Sequence, residues 1–175
     1  MSYKKEFRHI TTFVFDVDGV FTDGGITIFP DGEMVRTMNT KDGYAVKAAL
    51  HAGFRVAIIS GGTNEAVRLR LQQLGVGDVY LGAHQKGPVL KEYVEKYNIS
   101  YDETLFMGDD IPDIAAMNLA RIGCCPNDAV PEVLDAADYI SHKNGGKGCV
   151  RDVIEQVLKV QDKWGTLTNA RNDSK

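Results

Sequence analysis

The sequence predicts an α/β fold in which a doubly wound, mainly parallel sheet carries helices on both faces. Short runs of β-branched and aromatic residues alternate with longer segments of helical periodicity, which is the pattern of strands joined by crossover helices. The first run, Thr12 to Phe15, stops at the carboxylates Asp16 and Asp18. A buried strand that ends on polar side chains is typical of the carboxyl edge of a parallel sheet, where open α/β folds bind their ligands.

A β-hairpin insertion is predicted after the first strand, at about residues 24–38. Two β-rich runs flank the turn Pro30-Asp31-Gly32 there, which is a hairpin signal. Asp42 follows as the predicted N-cap of the first helix, because a side-chain oxygen at that place accepts a free N–H group. Gly53 and Gly75 are predicted to end the first two helices.

The remaining elements complete a Rossmann-like single domain of residues 1–175. Strands are predicted at 13–15, 54–59, 79–81, 105–107, 120–124 and 139–141, and helices at 42–52, 64–74, 86–97, after Pro112, and at 149–160. The core is expected at about 10–160. The polar tail at 163–175 is expected to be mobile unless a partner orders it.

Composition argues against several classes of function. The net charge is -4 and the chain has no basic block, so binding to nucleic acid through its phosphates is not expected. No apolar stretch approaches the roughly 20 residues of a membrane span, and the charged segment 1–8 lacks the apolar part of a signal peptide. The three cysteines are an odd number with two adjacent, which suits neither a disulfide framework nor a zinc site. We therefore expect reduced, buried thiols in a cytoplasmic protein.

Polar side chains follow four of the predicted strands, and parallel strands bring their carboxyl ends to one edge of the sheet. The groups are Asp16 and Asp18; Ser60, Gly61 and Gly62; Lys86; and Asp109, Asp110 and Asp113. One lysine cannot offset five neighbouring acids, and oxygen ligands around an open position suit Mg²⁺. A hydroxyl and backbone N–H groups can bind phosphate oxygens. The set therefore predicts phosphoryl transfer with a nucleophile, an acid/base, a metal and a cationic clamp.

These segments resemble the four ordered motifs of the haloacid dehalogenase superfamily, and the resemblance covers roughly residues 10–160. It implies that Asp16 is the nucleophile that forms an aspartyl-phosphate, and that Asp18 protonates the leaving alcohol and then activates water. It also implies that Ser60 and Lys86 hold the phosphoryl group. The implied Mg²⁺ ligands are Asp16, the backbone carbonyl of Asp18, and Asp109, with Asp110 and Asp113 acting through water or Lys86.

The chain leaves no room for the cap domain that closes the site in most members of that superfamily. A hairpin and one helix separate Asp18 from Ser60, and one helix and one strand separate Ser60 from Lys86. Because an open, wet site weakens the electrostatics of phosphoryl transfer, a macromolecular substrate or another subunit has to close it. The hairpin exposes alternating apolar residues, which predicts a homo-oligomer: Ile26, Ile28 and Met34.

The capless layout is similar to one subfamily, the 3-deoxy-D-manno-octulosonate 8-phosphate phosphatases. The matching segments are 16–23, 29–33, 41–44, 67–74, 106–110 and 145–148 with Arg151. The resemblance implies a small sugar-acid phosphate as substrate, a role in lipopolysaccharide precursor synthesis, and a homotetramer whose sites lie near subunit contacts. It makes Arg70, together with Arg68, a candidate for binding the substrate carboxylate. Gly61, Gly146 and Lys147 are expected to approach the substrate.

Gly62 leaves the identity of the sugar open. The subfamily commonly has arginine at this position, and relatives that act on a nine-carbon sugar acid 9-phosphate have glutamate, whereas glycine offers the substrate no side chain. The segment 41–44 favours the eight-carbon sugar. Two other classes also stay open: a catalytically silent binding homologue, and a phospho-receiver domain, which carries its phosphoacceptor on the third strand.

Overall fold

A six-stranded parallel sheet forms the centre of the protein. The computed structural model describes residues 3–165. Its strands are β1 Thr12–Phe15, β2 Thr27–Ile28, β3 Met34–Val35, β4 Arg55–Ile59, β5 Asp78–Tyr80, β6 Thr104–Met107, β7 Ile122–Cys125 and β8 Tyr139–Ile140. The main sheet has the order β5-β4-β1-β6-β7-β8, every pairing in it is parallel, and β2 and β3 form a separate antiparallel hairpin. The chain changes direction across the sheet at β1, which is where doubly wound folds bind ligands.

Helices cover both faces of this sheet, as the sequence predicts. They are α1 Tyr3–Glu6, α2 Thr40–His51, α3 Glu65–Gln73, α4 Lys86–Tyr97, α5 Ile114–Leu119, α6 Pro131–Ala136 and α7 Cys149–Val160. Alternate side chains of β1 point to opposite faces: Phe13 and Phe15 pack into the core beside α2, α3 and α7, and Val14 packs into the core beside α4, α5 and α6. The α/β fold class is therefore confirmed.

The predicted bounds of α4 and α7 agree with the structure, but the start predicted for α2 is wrong. Asn39 is the N-cap, and its side-chain oxygen accepts from the backbone N–H of Lys41 at 2.9 Å. Asp42 lies inside the first turn, fully buried, and accepts from the backbone N–H of Arg151 at 2.7 Å. It therefore caps the N-terminus of α7, a helix that lies beside α2 only in the folded protein.

The two ends of the described chain pack onto the body of the protein. Near the N-terminus, the rings of Tyr3 and Phe7 lie against Tyr139, with centroids 5.0 and 5.4 Å from it. Near the other end, Trp164 packs edge-on against Tyr44 at 6.1 Å. Residues 163–165 are thus part of the fold, and the rest of the predicted tail, 166–175, lies outside the described residues.

The β2–β3 hairpin presents apolar side chains to solvent. Ile28 is 66% exposed and Met34 is 44% exposed. Asn64, the N-cap of α3, holds the hairpin against the body of the protein by donating from its side chain to the Met34 carbonyl at 2.7 Å. Among residues 3–165, no helix has both the length and the apolar character needed to cross a membrane.

Candidate active site

The loop after β1 brings two carboxylates to the edge of the sheet. Asp16 still belongs to the sheet, because its N–H donates to a β6 carbonyl at 3.0 Å. The chain then turns away over Asp18. The hydroxyl of Thr22 braces the turn by accepting from the N–H groups of Gly19 at 3.2 Å and Gly24 at 3.1 Å.

Lys86, at the start of α4, lies between two buried carboxylates. Its Nζ is 2.8 Å from Asp16 Oδ2 and 2.6 Å from Asp113 Oδ1, and none of the three side chains is more than 9% exposed. The second oxygen of Asp113 accepts from the backbone N–H groups of Asp109 at 3.0 Å and Asp110 at 3.2 Å. Asp113 therefore ties Lys86 to the loop that follows β6.

Burial and mutual repulsion change the acidity of these groups. Burial raises the pKa of Asp16 to about 6, with a further rise from Asp113 and an opposing effect of Lys86. Burial also raises the pKa of Asp109 to about 7, and the neighbouring Asp16 and Asp113 add to the rise. Burial opposes the charge of Lys86, but the two carboxylates outweigh it and raise the lysine pKa. One buried cation thus leaves the acidic cluster short of positive charge.

The chemistry of this cluster fits a hard divalent cation. Carboxylate oxygens of Asp16, Asp109 and Asp113 lie within 4.8 Å of one another. Asp109 Oδ1 is buried and has no hydrogen-bond partner among the described residues. The backbone at Gly19 forms a cradle for Asp109, since a Cβ atom at that glycine would lie 1.9 Å from Asp109 Oδ2. An oxygen-only donor set with one unsatisfied oxygen is what Mg²⁺ prefers.

A cavity of about 400 Å³ opens above these acids. Its lining brings together side chains from all four strand ends, among them Asp16, Asp18, Ser60, Lys86 and Asp109, with Gly61 and Gly62 at its wall. Ser60 is 3% exposed, and its hydroxyl accepts from the Gly62 N–H at 3.3 Å. The convergence expected from the sequence is therefore present in one pocket.

Asp18 has a partner that the sequence did not indicate. Both of its carboxylate oxygens accept from Arg36, with Nε to Oδ1 at 2.6 Å and Nη2 to Oδ2 at 3.2 Å. Arg36 follows β3 on the returning arm of the hairpin. No motif marks it, because the contact depends on how the hairpin folds back over the loop after β1.

Comparison with known proteins identifies the family. Residues 63–154 match the family model of haloacid dehalogenase-like hydrolases. The chain is also 34% identical to the 3-deoxy-D-manno-octulosonate 8-phosphate phosphatase of Salmonella typhi over 167 residues, which is 95% of this chain and 87% of that protein. The chain belongs to the 3-deoxy-D-manno-octulosonate 8-phosphate phosphatase family. Membership makes it a phosphomonoester hydrolase and excludes the phospho-receiver alternative.

Solved structures of this phosphatase family have the same fold. The phosphatase of Yersinia pestis matches with a TM-score of 0.91 and 29% identity, over 93% of this chain and 88% of that one. The phosphatase of Moraxella catarrhalis, solved in complex with a magnesium ion, a phosphate ion and a KDO molecule, matches with a TM-score of 0.89 and 31% identity, over 91% of each chain.

The arginines expected at the substrate of this phosphatase lie outside the Asp16 cavity. Arg68 donates to the Val79 carbonyl at 2.6 Å and pairs with Glu65 at 3.0 Å. Arg70 lines a second cavity of about 460 Å³, between the hairpin and α3. The two arginines are two residues apart on α3, so their side chains project to nearly opposite sides of the helix. Arg68 reaches β5, and Arg70 faces the hairpin.

The glycine loop before α7 lies against the loop that follows β1. Gly146 packs against the loop after β1, where its N–H donates to the Val20 carbonyl at 3.0 Å and a Cβ atom would lie 2.6 Å from the Asp23 nitrogen. Lys147 lines a different cavity, beside Arg151. Within this chain the loop supports the site from behind, and neither residue reaches the Asp16 cavity.

Asp110 turns its side chain to the backbone N–H of Ile111 at 2.8 Å.

Proposed function

We propose that the protein is a Mg²⁺-dependent phosphatase that hydrolyses 3-deoxy-D-manno-octulosonate 8-phosphate to the free sugar acid and phosphate, in lipopolysaccharide precursor synthesis. The observation that carries the proposal is the buried contact of Lys86 with both Asp16 and Asp113, in the same cavity as Asp18 and Ser60. The curated relatives, 34% identical over most of the chain, have this substrate in their names.

In the first step, a carboxylate oxygen of Asp16 attacks phosphorus and the bond from phosphorus to the sugar oxygen breaks. Asp18 gives its proton to that oxygen as it leaves. Lys86 keeps Asp16 in place and faces the phosphoryl oxygens, while the Ser60 hydroxyl and nearby backbone N–H groups bind them. The buried position of Asp16 and Lys86 strengthens these interactions, because little water screens them.

In the second step, water attacks the aspartyl-phosphate and gives its proton to Asp18. The bond from phosphorus to Asp16 then breaks, which frees phosphate and restores both carboxyl groups. Mg²⁺, when bound, neutralises charge on the phosphoryl oxygens. We propose that it is held by Asp16, Asp109 and the backbone carbonyl of Asp18, with Asp113 fixing Lys86 and the Asp109 loop.

We further propose that the protein is a cytoplasmic homotetramer assembled through its hairpins. The exposed apolar hairpin supports assembly, since such surfaces on soluble proteins mark contact sites. A cytoplasmic location is supported by three cysteines that are all buried and unpaired. Ile28→Lys is expected to give monomers by light scattering. Ile140→Lys, which alters another exposed isoleucine on β8, is expected to leave the assembly unchanged. A tetramer that survives Ile28→Lys contradicts the hairpin contact.

The test of the activity is phosphate release from two sugar-acid phosphates, with and without Mg²⁺. We expect release from the eight-carbon 8-phosphate, little release from a nine-carbon sugar acid 9-phosphate, and none from either after chelation. Preference for the nine-carbon ester would replace the substrate proposed here. No release from either ester would contradict the proposed substrate class.

Asp16→Asn tests the nucleophile, because an amide cannot form the aspartyl-phosphate. We expect turnover to fall by at least about 10³-fold, with an unchanged unfolding transition. Asp135→Asn is the matched control, since Asp135 is an exposed aspartate on α6. Normal phosphate release by Asp16→Asn would refute the assignment.

A further inference from the structure

We propose that Arg36 is a positioning residue that holds the Asp18 carboxylate in place for proton transfer. The inference rests on the proposed function, in which Asp18 is the acid and base of a phosphatase. Arg36 lies on the hairpin, outside the main sheet, so the hairpin would take part in the chemistry in addition to its proposed part in assembly.

The contact between the two side chains has the geometry of a directed pair. The Nε–H and Nη2–H groups of Arg36 point to different oxygens of Asp18, at 2.6 and 3.2 Å. A guanidinium bound in this way fixes the plane and the rotamer of the carboxylate, whereas a single ion pair fixes only a distance. The Arg36 side chain is 8% exposed and Asp18 is 31% exposed, so water competes little at the arginine and still reaches the aspartate.

The hairpin arm that carries Arg36 is itself held against the body of the protein. The side-chain amide of Asn64 donates to the Met34 carbonyl, two residues before Arg36, at 2.7 Å. Asn64 is also the N-cap of α3, and accepts from the Val67 N–H at 3.3 Å. The hairpin arm that carries Arg36 is thus fastened to the same loop and helix that follow Ser60.

The space beside the pair is kept free by Gly62. A Cβ atom at this position would lie 3.4 Å from Asp18 Oδ2 and 3.6 Å from Arg36 Nη2, which is ordinary contact distance. A longer side chain that continued toward the pair would compete with Arg36 for this space. The glycine that offers the substrate no side chain therefore leaves room for a guanidinium supplied by the hairpin.

The pair matches the form of Asp18 that exists between the two proton transfers. When Asp18 has given its proton to the sugar oxygen, it is a carboxylate with two oxygens that need donors, and Arg36 supplies one to each. Before it can carry a proton again, the carboxylate has to offer a lone pair that Arg36 does not use. Because the Asp18 side chain is 31% exposed, we expect the leaving group and water to reach its remaining lone pairs from the solvent side.

The experiment compares kcat/KM for two esters in a double-mutant cycle. The probes are 3-deoxy-D-manno-octulosonate 8-phosphate, whose leaving alkoxide needs a proton, and p-nitrophenyl phosphate, whose leaving group needs almost none. Since general acid catalysis contributes about 10²- to 10⁴-fold, we expect Arg36→Ala to lower kcat/KM about 10- to 100-fold for the sugar ester and less than about 3-fold for the aryl ester. In Asp18→Asn protein, adding Arg36→Ala should change either value less than about 2-fold. Arg36→Lys should restore only part of the loss, because a lysine cannot bond both oxygens side by side.

Arg121→Ala is the matched control for loss of an arginine–carboxylate pair. Arg121 contacts Glu6 through Nε at 2.7 Å and Nη2 at 2.6 Å, on a part of the surface remote from the Asp16 cavity. It should alter the unfolding transition and leave kcat/KM for both esters unchanged. If Arg36→Ala does not fold, the Arg36→Lys protein carries the same comparison.

Two results would overturn the proposal. Equal losses for the two esters would mean that Arg36 does not act through the proton transfer. A loss that persists in full in Asp18→Asn protein, with a raised KM, would mean that Arg36 contacts the substrate directly. If the parent protein prefers another sugar phosphate, the comparison is made with that ester, so the substrate proposal and the role of Arg36 fail separately.

Discussion

Replacing Asp42 by asparagine is predicted to change how the free energy of unfolding depends on pH. Asp42 is fully buried, and its Oδ1 accepts from the Arg151 N–H at 2.7 Å. Its Oδ2 has no hydrogen-bond partner in the described part of the chain. Burial raises the pKa of Asp42 from an ordinary 3.8 to about 6, against the lowering effect of Arg151.

The folded protein binds the Asp42 proton more tightly than the unfolded chain does, and this sets the direction in which stability changes with pH. Between about pH 4 and pH 6 the folded protein keeps the Asp42 proton and the unfolded chain releases it. The protonated group therefore contributes stability that is complete below about pH 4 and is lost as the pH rises through 6. The difference of about 2.2 pH units, at 1.36 kcal/mol each, amounts to about 3 kcal/mol.

The assay is urea unfolding of the parent and of Asp42→Asn at several pH values from 4 to 8, in Mg²⁺-free buffer. The free energy of unfolding of the variant, relative to the parent, should rise by about 2 to 3 kcal/mol across this range, since Asp42 of the unfolded chain is already partly ionised at pH 4. Asp16 and Asp109 titrate in both proteins, so their effects cancel in the comparison. Asp135→Asn, an exposed control, should show no such trend. A stability difference for Asp42→Asn that stays constant with pH would refute the reasoning.

Two further substitutions test the acidic cluster. Lys86→Met removes the cation between Asp16 and Asp113, so the Mg²⁺-free protein should lose about 3–5 kcal/mol of unfolding free energy. The control Lys91→Met, which breaks an exposed ion pair, should lose less than about 1 kcal/mol. Equal losses in the two variants would contradict the argument from burial. Gly19→Ala places a Cβ atom against Asp109 and should weaken Mg²⁺ binding at least about 10-fold by calorimetry. The control Gly32→Ala has a similar positive φ but no atom within 4 Å of its Cβ, so it isolates the clash from the backbone strain; unchanged Mg²⁺ binding in Gly19→Ala would show that the cradle has no role.

Local signals in the chain were sufficient to predict the sheet and the meeting of polar side chains at its edge. Apolar runs bounded by acids and glycines mark the strands, and the parallel topology then requires their ends to meet. The start of α4 at Lys86 could be predicted because Pro88 fits a first helical turn. Asp16 and Asp109 lie in one cavity because parallel strands bring their carboxyl ends to the same edge of the sheet.

Long-range packing decided the rest. Arg36 meets Asp18 only because the hairpin folds back across 18 residues, and Asp42 caps a helix that starts more than 100 residues later. The position of Arg70 beside the hairpin depends on long-range packing as well, as does the contact of Gly146 with the loop after β1. Periodicity encodes the local state of the backbone, whereas a contact between distant side chains is selected by the free energy of the whole packed arrangement, which no short segment contains.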